Sequence, residues 1–371
     1  MHQTIVVKLL PNTEQAEALK ATMQAFNAGA NYVAGEAVRI KTSNKMRLHP
    51  VVYRVLRERF GLSAQIAILC IAKVCEAYKR DRTKRPTFRE YGAMTHDERT
   101  FSFKGIDRVS LLTLRGRVIV PMLFGEYQRV RLSLAKGQAD LLFRRGKWLL
   151  AATIEIPDGV PMPPTGFLGV DLGIVNLATT SDGEVMSGQA VETVRQRYST
   201  LRAGLQSCGT KSARRHLKKI SEKERLFKRH TNHCISKRLV GSAKDTKRGL
   251  ALESLTGIRS RCTVRRTQRD RHSKWAFAEL RAFIDYKAKA AGVPVVIVTA
   301  RGTSRTCSVC GHEGANNRPS RDLFRCQSCG HEAPADLNAA VNIARRAVVD
   351  RPIVSAVQSP PGDRQGQALA V

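Results

Sequence analysis

Residues 167–188 read FLGVDLGIVNLATTSDGEVMSG. Three short β-prone runs, FLGVDLG, NLATTS and EVMSG, are separated by Gly and Asp-Gly turn signals, the pattern of a β-meander. Beyond it, a long basic helical region fills about residues 190 to 247. A strand candidate GLALESL (249–255) and an arginine-rich stretch follow. Next come a helix around WAFAELRAFIDYKAKAAG (275–292), a strand candidate PVVIVTA (294–300), a cysteine block and a helix opening at Asp336. Three meander strands, a helical excursion, a fourth strand, a helix, a fifth strand and a closing helix form the element order of an RNase H-like α/β fold.

Toward the N-terminus the pattern differs. TIVVKLL (4–10) reads as a strand, and after Pro11 the residues Leu19, Met23, Phe26 and Tyr32 recur at helical spacing. HPVVYRVLRERF (49–60) and SAQIAILCIAKVCEAYKR (63–80) read as further helices, the latter with Ser63 as N-cap, giving a helical block to about residue 96. The runs TFSFKG, LLTLRGRVIVPM, VRLSLA, ADLLFRR and WLLAATIEIP then predict a small antiparallel sheet or barrel, with a hairpin at RRGK (144–147) and Thr4–Leu10 as an added strand. PDGVPMPPTG (157–166) reads as a linker, and the tail after Asp350 as disordered.

Lys and Arg number 63 against 31 Asp and Glu, leaving +32 over 371 residues. Such a field calls for a polyphosphate partner, so nucleic acid is expected. An anionic membrane surface is the competing partner. There is no apolar run of the roughly 18 residues that would span a bilayer, no lipidation motif, and no secretory h-region at the start, which points to no membrane partner. Of nine cysteines, Cys70, Cys75, Cys208, Cys234 and Cys262 are scattered, which fits a cytoplasmic protein with one metal site better than a disulfide framework.

The other four, Cys307, Cys310, Cys326 and Cys329, form C-x2-C-x15-C-x2-C, and each pair is followed by Gly-His. Four thiolates at this spacing can close a tetrahedron around one structural Zn2+, the glycines permitting the tight knuckle turns. With the sphere filled by cysteine, His312 and His331 are expected as knuckle residues and the metal as non-catalytic. An iron–sulfur cluster or a redox pair would use the same residues.

Three carboxylates stand at telling positions: Asp171 at the end of FLGVDL, Glu253 at the end of GLALES, and Asp336 at the start of the closing helix. In an RNase H-like sheet the first and fourth strands are adjacent and the last helix packs across their ends, so the three are expected to converge. Phosphodiester hydrolysis uses such a cluster to hold two Mg2+ ions about 3.5–4 Å apart, hard cations that prefer carboxylate oxygens. Taken singly, Asp171 is readable as a turn residue, Glu253 as a surface charge and Asp336 as a first-turn acid. Their joint fit to strand one, strand four and the last helix favours a metal site.

Arg214, Arg215, Lys218, Lys219, Lys223, Arg225, Lys228 and Arg229 lie on a helical pattern whose apolar positions include Leu217, Ile220, Phe227 and Ile235. The basic face can track a phosphate backbone while the apolar stripe docks on the domain. A second cluster, Arg259, Arg261, Arg265, Arg266, Arg269 and Arg271, follows Glu253 directly. A charge run alone is usually a solvated face, but two flanking a nuclease cleft are expected to bind nucleic acid.

FLGVDLGIVNLAT, GLALESLTGIR, TSRTCSVCGH, RDLFRCQSCGH and ADLNAAVNIA, in this order, resemble the RuvC-type signatures of the TnpB (OrfB) proteins of bacterial insertion sequences, relatives of the type V CRISPR effector nucleases. NHCISKRLV and KWAFAELRAFIDYKAKAAGVPVV resemble the same family. The match covers roughly residues 166 to 347; before that it rests on the opening strand and helix. The resemblance implies an RNA-guided DNA endonuclease that binds a guide RNA from the transposon end, recognises a short motif beside the target, and cuts double-stranded DNA with one RuvC site. By motif match its catalytic residues fall on Asp171, Glu253 and Asp336 and its zinc ligands on the four paired cysteines.

It also implies a wedge-like β-barrel (1–10 and 97–160) interrupted by a helical recognition domain (11–96). After these come a RuvC-like nuclease domain (166–302 and 333–349), an inserted zinc ribbon (303–332) and a disordered tail (350–371). Ser254 departs from relatives that carry a second acidic or amide residue there; alternation along a strand turns it away from the metals. Three rivals remain: an inactive guided repressor, which would lack one of the carboxylates; a zinc-ribbon RNA-binding protein, which leaves them unexplained; and a DDE-type transposase. The last usually carries aspartate on the fourth strand and glutamate on the closing helix, the reverse of the order here.

Overall fold

The computed structural model describes residues 1–81, 83–254 and 277–350. They fall into two compact units that divide after Pro157.

In the first unit β1 (His2–Leu9) runs into α1 (Thr13–Arg39), α2 (Lys45–Glu58) and α3 (Ala64–Arg80). β2 (Met94–His96), β3 (Phe101–Lys104), β4 (Arg108–Thr113), β5 (Gly116–Leu123), α4 (Glu126–Leu132), β6 (Ala135–Arg144) and β7 (Lys147–Glu155) complete it. The strands form an antiparallel sheet in the order β2-β6-β7-β1-β5-β4-β3. β2 and β3 stand at opposite ends of this order yet are joined by only residues 97–100. Five Cα steps reach at most roughly 18 Å, whereas the edges of a flat seven-stranded sheet lie roughly 29 Å apart, so the sheet must curl into a barrel-like form. Ile5, Val7 and Leu9 of β1 point into the core, where they meet the sheet-facing side of the helices, Leu19, Met23, Phe26, Ala30 and Val33 of α1 among them.

Several local expectations change here. α2 begins at Lys45 rather than His49, because Asn44 Oδ1 accepts from Met46 N at 2.8 Å and caps the helix earlier. Ser63 occupies the N-cap of α3, but its side chain makes no capping bond, and its hydroxyl is buried without a partner. VRLSLA, read as a strand, is the end of α4 and the turn after it. Its period-2 alternation is overridden by a cap in which Gln128 Oε1 accepts from Gly125 N at 3.1 Å. Residues 94–96, at the end of the helical block in the sequence, pair with β6 instead. The RRGK hairpin forms as expected: Arg144 pairs with Lys147 across Arg145 and Gly146, both at positive φ.

The second unit contains β8 (Phe167–Asp171), β9 (Asn176–Thr180), β10 (Val185–Ser187), α5 (Gln189–Cys208), α6 (Lys211–Asp245) and β11 (Gly249–Glu253). After the undescribed residues come α7 (Phe277–Ala291), β12 (Val295–Val298), the hairpin β13 (Leu323–Arg325) and β14 (Glu332–Pro334), and α8 (Ala335–Val349). The main sheet has the order β10-β9-β8-β11-β12, in which β8, β11 and β12 are parallel and the meander is antiparallel. This is the order that the RNase H-like reading requires. One face packs Leu168, Val170, Leu250 and Leu252 against α6 and α7, through Ile235, Leu239, Leu280 and Ile284. The other packs Phe167, Ala251 and Val298 against Ile343 and Ala347 of α8. The basic helical region is two helices, broken at Gly209. The Pro-rich segment 157–166 has no helix or strand but is no free linker. Gly159, Met162 and Thr165 donate their N–H groups to Lys289, Gly292 and Lys247 carbonyls at 2.9–3.0 Å.

Candidate functional site

Asp171 and Glu253 are the last residues of the parallel neighbours β8 and β11, whose register pairs Val170 with Leu252. Both side chains therefore leave the same end of the sheet, on the face covered by α8. Gly169, two residues before Asp171, lets α8 come close: a Cβ there would lie 2.0 Å from Ala340 O and 2.6 Å from Ala344 N. Asp336 is the second residue of α8, so the helix delivers it to the same place.

Electrostatics tie the three together. Burial first, then the charges of Glu253 and Asp336, push the Asp171 carboxyl up to about 7, against an opposing pull from Arg318 and the Leu172 N–H. Burial also raises Glu253, offset by the Thr303 hydroxyl that donates to its Oε1 and by Arg346. Asn176 Nδ2 donates to Asp336 Oδ2 at 2.9 Å, and Arg318 Nη2 lies 3.5 Å from Asp336 Oδ1. Three carboxylates at one sheet end, one of them held toward its neutral form, make a site short of positive charge. A divalent cation with oxygen ligands fits that deficit.

The four paired cysteines do close on one another. Their Sγ atoms all lie within 4.8 Å, with Cys307 and Cys329 at 3.7 Å and Cys310 and Cys326 at 3.6 Å. Gly311 and Gly330, at φ 79° and 71°, make the knuckle turns. In each knuckle the first cysteine's N–H donates to the histidine carbonyl five residues on, Cys307 to His312 at 2.9 Å and Cys326 to His331 at 2.8 Å. The N–H groups of Cys329 and Ser328 point at Cys326 Sγ and draw its thiol below the ordinary range, toward the thiolate a metal requires. The cluster has the donors and the size to hold one zinc ion. It is fastened to α8 by two buried asparagines. Asn338 accepts from Ser308 N and donates to Thr306 O, both at 2.9 Å, and Asn342 donates to the carbonyls of Thr303 and Thr306 at 2.9 and 2.7 Å.

Of the basic residues singled out, Arg214, Arg215, Lys218, Lys219, Arg225 and Arg229 are exposed on α6, opposite the buried Ile220 and Ile235. Lys228 is not on that face. Its ammonium lies 2.9 Å from Glu224 Oε1, in a buried ion network that also includes Arg202 of α5 and joins the two helices. Arg259, Arg261, Arg265, Arg266 and Arg269 lie outside the described residues. Asn176, Thr303, Arg318 and Arg346 went unnoticed in the sequence. Nothing marks them there, because each reaches a carboxylate only through the tertiary fold.

Residues 153–255 match the family model described as a probable transposase, OrfB_IS605, and residues 277–343 match the Cas12f1-like TNB domain. Over these segments the chain is thus similar to the OrfB (TnpB) and Cas12f proteins. Among curated proteins the chain is similar to the CRISPR-associated endodeoxyribonuclease Cas12f1 of Sulfoacidibacillus thermotolerans, 31% identical over 241 residues, 60% of this chain and 54% of that one. It is similar to the putative RNA-guided DNA endonuclease InsQ of Escherichia coli, 28% identical over 220 residues and 53% of each chain. It is also similar to the TnpB-like protein MJ0751 of Methanocaldococcus jannaschii, 25% identical over 264 residues, 67% of this chain and 93% of that one. The chain spans about half the length of the first two. In fold it resembles the Cas12f1–sgRNA–target DNA complex, with a TM-score of 0.64 at 16% identity over 90% of this chain and 83% of that one. The mini-RNA-guided endonuclease CRISPR-Cas_phi3 gives 0.56 at 9% over 95% and 93%. No helix among the described residues is long and apolar enough to cross a membrane.

Proposed function

We propose that the protein is an RNA-guided, metal-dependent DNA endonuclease encoded by a transposable element, cutting target DNA beside a short flanking motif with a single RuvC-like site. The observation that carries this reading is the meeting of Asp171, Glu253 and Asp336 at one end of the sheet, where the charges of the other two act on Asp171. Relatives named as RNA-guided or CRISPR-associated DNA endonucleases support it.

When bound, two Mg2+ ions would supply the Lewis acidity that phosphodiester hydrolysis needs. The chain's own residues then divide the work. The three carboxylates hold the ions, while Asn176 and Thr303 fix the orientations of Asp336 and Glu253. Arg318 stands beside Asp336, where a phosphate would meet positive charge. Arg214, Arg215, Lys218, Lys219, Arg225 and Arg229 track the backbone of the guide–target duplex by shape, assisted by Arg259, Arg261, Arg265, Arg266 and Arg269. Cys307, Cys310, Cys326 and Cys329 hold one structural zinc, and through Asn338 and Asn342 the ribbon orders the helix that presents Asp336.

In the same reading residues 1–10 and 97–160 are a wedge barrel and 11–96 a recognition domain. Residues 166–302 and 333–349 are the nuclease domain with the ribbon 303–332 inserted. The protein works in the bacterial cytoplasm on a transposon-end guide RNA and double-stranded target DNA. The test is to purify it with its co-expressed flanking RNA and add Mg2+ and a plasmid library bearing the guide-matched target beside randomised bases, with Asp171→Ala in parallel. Cleavage by the wild type alone, confined to a few flanking sequences, is expected. Binding without cleavage by either protein would instead indicate a guided repressor, and purification without RNA would end the guided mechanism.

A further inference from the structure

Thr179 lies in β9 directly opposite Asp171 of β8. Residues so paired stand on the same face of the sheet with Cβ atoms about 4.5–5.5 Å apart, so the Thr179 side chain is the cross-strand neighbour of the aspartate on the face that α8 covers. It is 2% exposed, and its Oγ1 has no hydrogen-bond partner. The hydroxyls around it are all in use. Thr180 Oγ1 accepts from Glu184 N at 3.1 Å, Ser181 Oγ accepts from Gly169 N at 3.2 Å, and Thr303 donates to Glu253.

A buried hydroxyl without a partner is a cost to the fold, and valine would fill the same space in a strand without it. The other two carboxylates of the cluster each accept from a neutral side chain, Glu253 from Thr303 and Asp336 from Asn176. Asp171 has no equivalent donor among the described contacts except the Leu172 N–H. The unused hydroxyl and the unsupported carboxylate face each other across one strand pair.

We propose that Thr179 is the positioning residue for Asp171: when the cluster holds its divalent cation, the Thr179 hydroxyl donates to the Asp171 carboxylate and fixes which oxygen is presented to the ion. The inference rests on the metal-dependent reading of the cluster, and it completes a pattern in which each of the three carboxylates is held by one neutral donor from a neighbouring segment. Thr179 touches neither substrate nor metal in this role; it acts through Asp171.

The test uses the zinc-loaded full chain without nucleic acid, with Mn2+ as the probe because it takes the same hard oxygen ligands and is read by water-proton relaxation. Wild type, Thr179→Val, Thr179→Ser and Asp171→Asn are titrated, and each is melted before any Mn2+ is added. Thr179→Val is expected to weaken Mn2+ binding roughly tenfold, the lower end of what loss of a supporting partner costs. Its metal-free melting temperature should equal or exceed that of the wild type, and Thr179→Ser should restore the affinity. Val binding Mn2+ like the wild type would overturn the proposal. So would a Val variant that melts well below the wild type while Ser fails to recover binding, since the hydroxyl would then serve the fold. If Asp171→Asn binds Mn2+ unchanged, the metal reading of the cluster itself fails, an outcome distinct from failure of Thr179 alone.

Discussion

At Asp171 burial and charge act in the same direction, since the sheet end removes water and two further carboxylates face the same space. A carboxyl with a folded pKa of about 7 against an ordinary 3.8 binds its proton more tightly in the native state, so ionising it costs stability. The cost is absent below the ordinary value, grows as pH rises toward 7, and is constant beyond. In chelated protein Asp171→Asn should therefore raise the melting temperature at pH 8, by a stabilisation on the order of a few kcal/mol, and change it little at pH 4. Equal shifts at both pH values would show that the aspartate is not destabilised as its surroundings require. Asp171, Glu253 and Asp336 were legible in the sequence because each sits at the boundary of an apolar run, where alternation and element order say which way it points. Arg318 was not. It is one of 63 Lys and Arg, and its approach to Asp336 depends on the fold of the cysteine knot that carries it.

Among the elements, the packing of α8 on β8 decides whether the site exists, because it brings Asp336 to Asp171. That packing is permitted by the missing side chain of Gly169, where a methyl group would press on the α8 backbone at Ala340 and Ala344. Gly169→Ala should cost about 2–3 kcal/mol through overpacking, lowering hydrogen-exchange protection of the α8 amides by a factor of roughly 30 to 150 while leaving the amides of β1 to β7 unchanged. A protection change confined to loops would mean that α8 is not held by this contact. The continuous apolar runs of β8 and β11 and the helical spacing of α1 could be read from the sequence. α4 could not, since V-R-L-S-L-A alternates like a strand, and the short helix is set by a Gly125–Gln128 cap that leaves Tyr127 and Val130 exposed. The Pro-rich segment misled for another reason. Its composition says only that it forms no regular element, whereas its position is set by hydrogen bonds to residues 82 to 130 places away.

For the whole molecule the dominant physical fact is charge: an excess of 32 positive groups makes binding to any polyanion favourable and strongly salt-dependent. Charge alone names a class of partner and cannot say which groups contact it. The structure narrows that choice, because a lysine already paired inside the protein releases no counterion when nucleic acid binds. Lys228 is spent on Glu224, whereas Arg214, Arg215, Lys218 and Lys219 share the exposed face of α6. Replacing these four by glutamine, and leaving Lys228 in place, should reduce the slope of log K against log salt by about 0.7 per residue on single-stranded RNA and about 0.9 on duplex DNA, a total of roughly 3 to 4. Affinity should fall to a similar extent for matched and unmatched sequences, since phosphate contacts carry no base information. Filter binding across a series of salt concentrations reads both quantities. An unchanged slope would remove the α6 face from the nucleic-acid interface, and a loss confined to one sequence would mean that these side chains read bases rather than backbone.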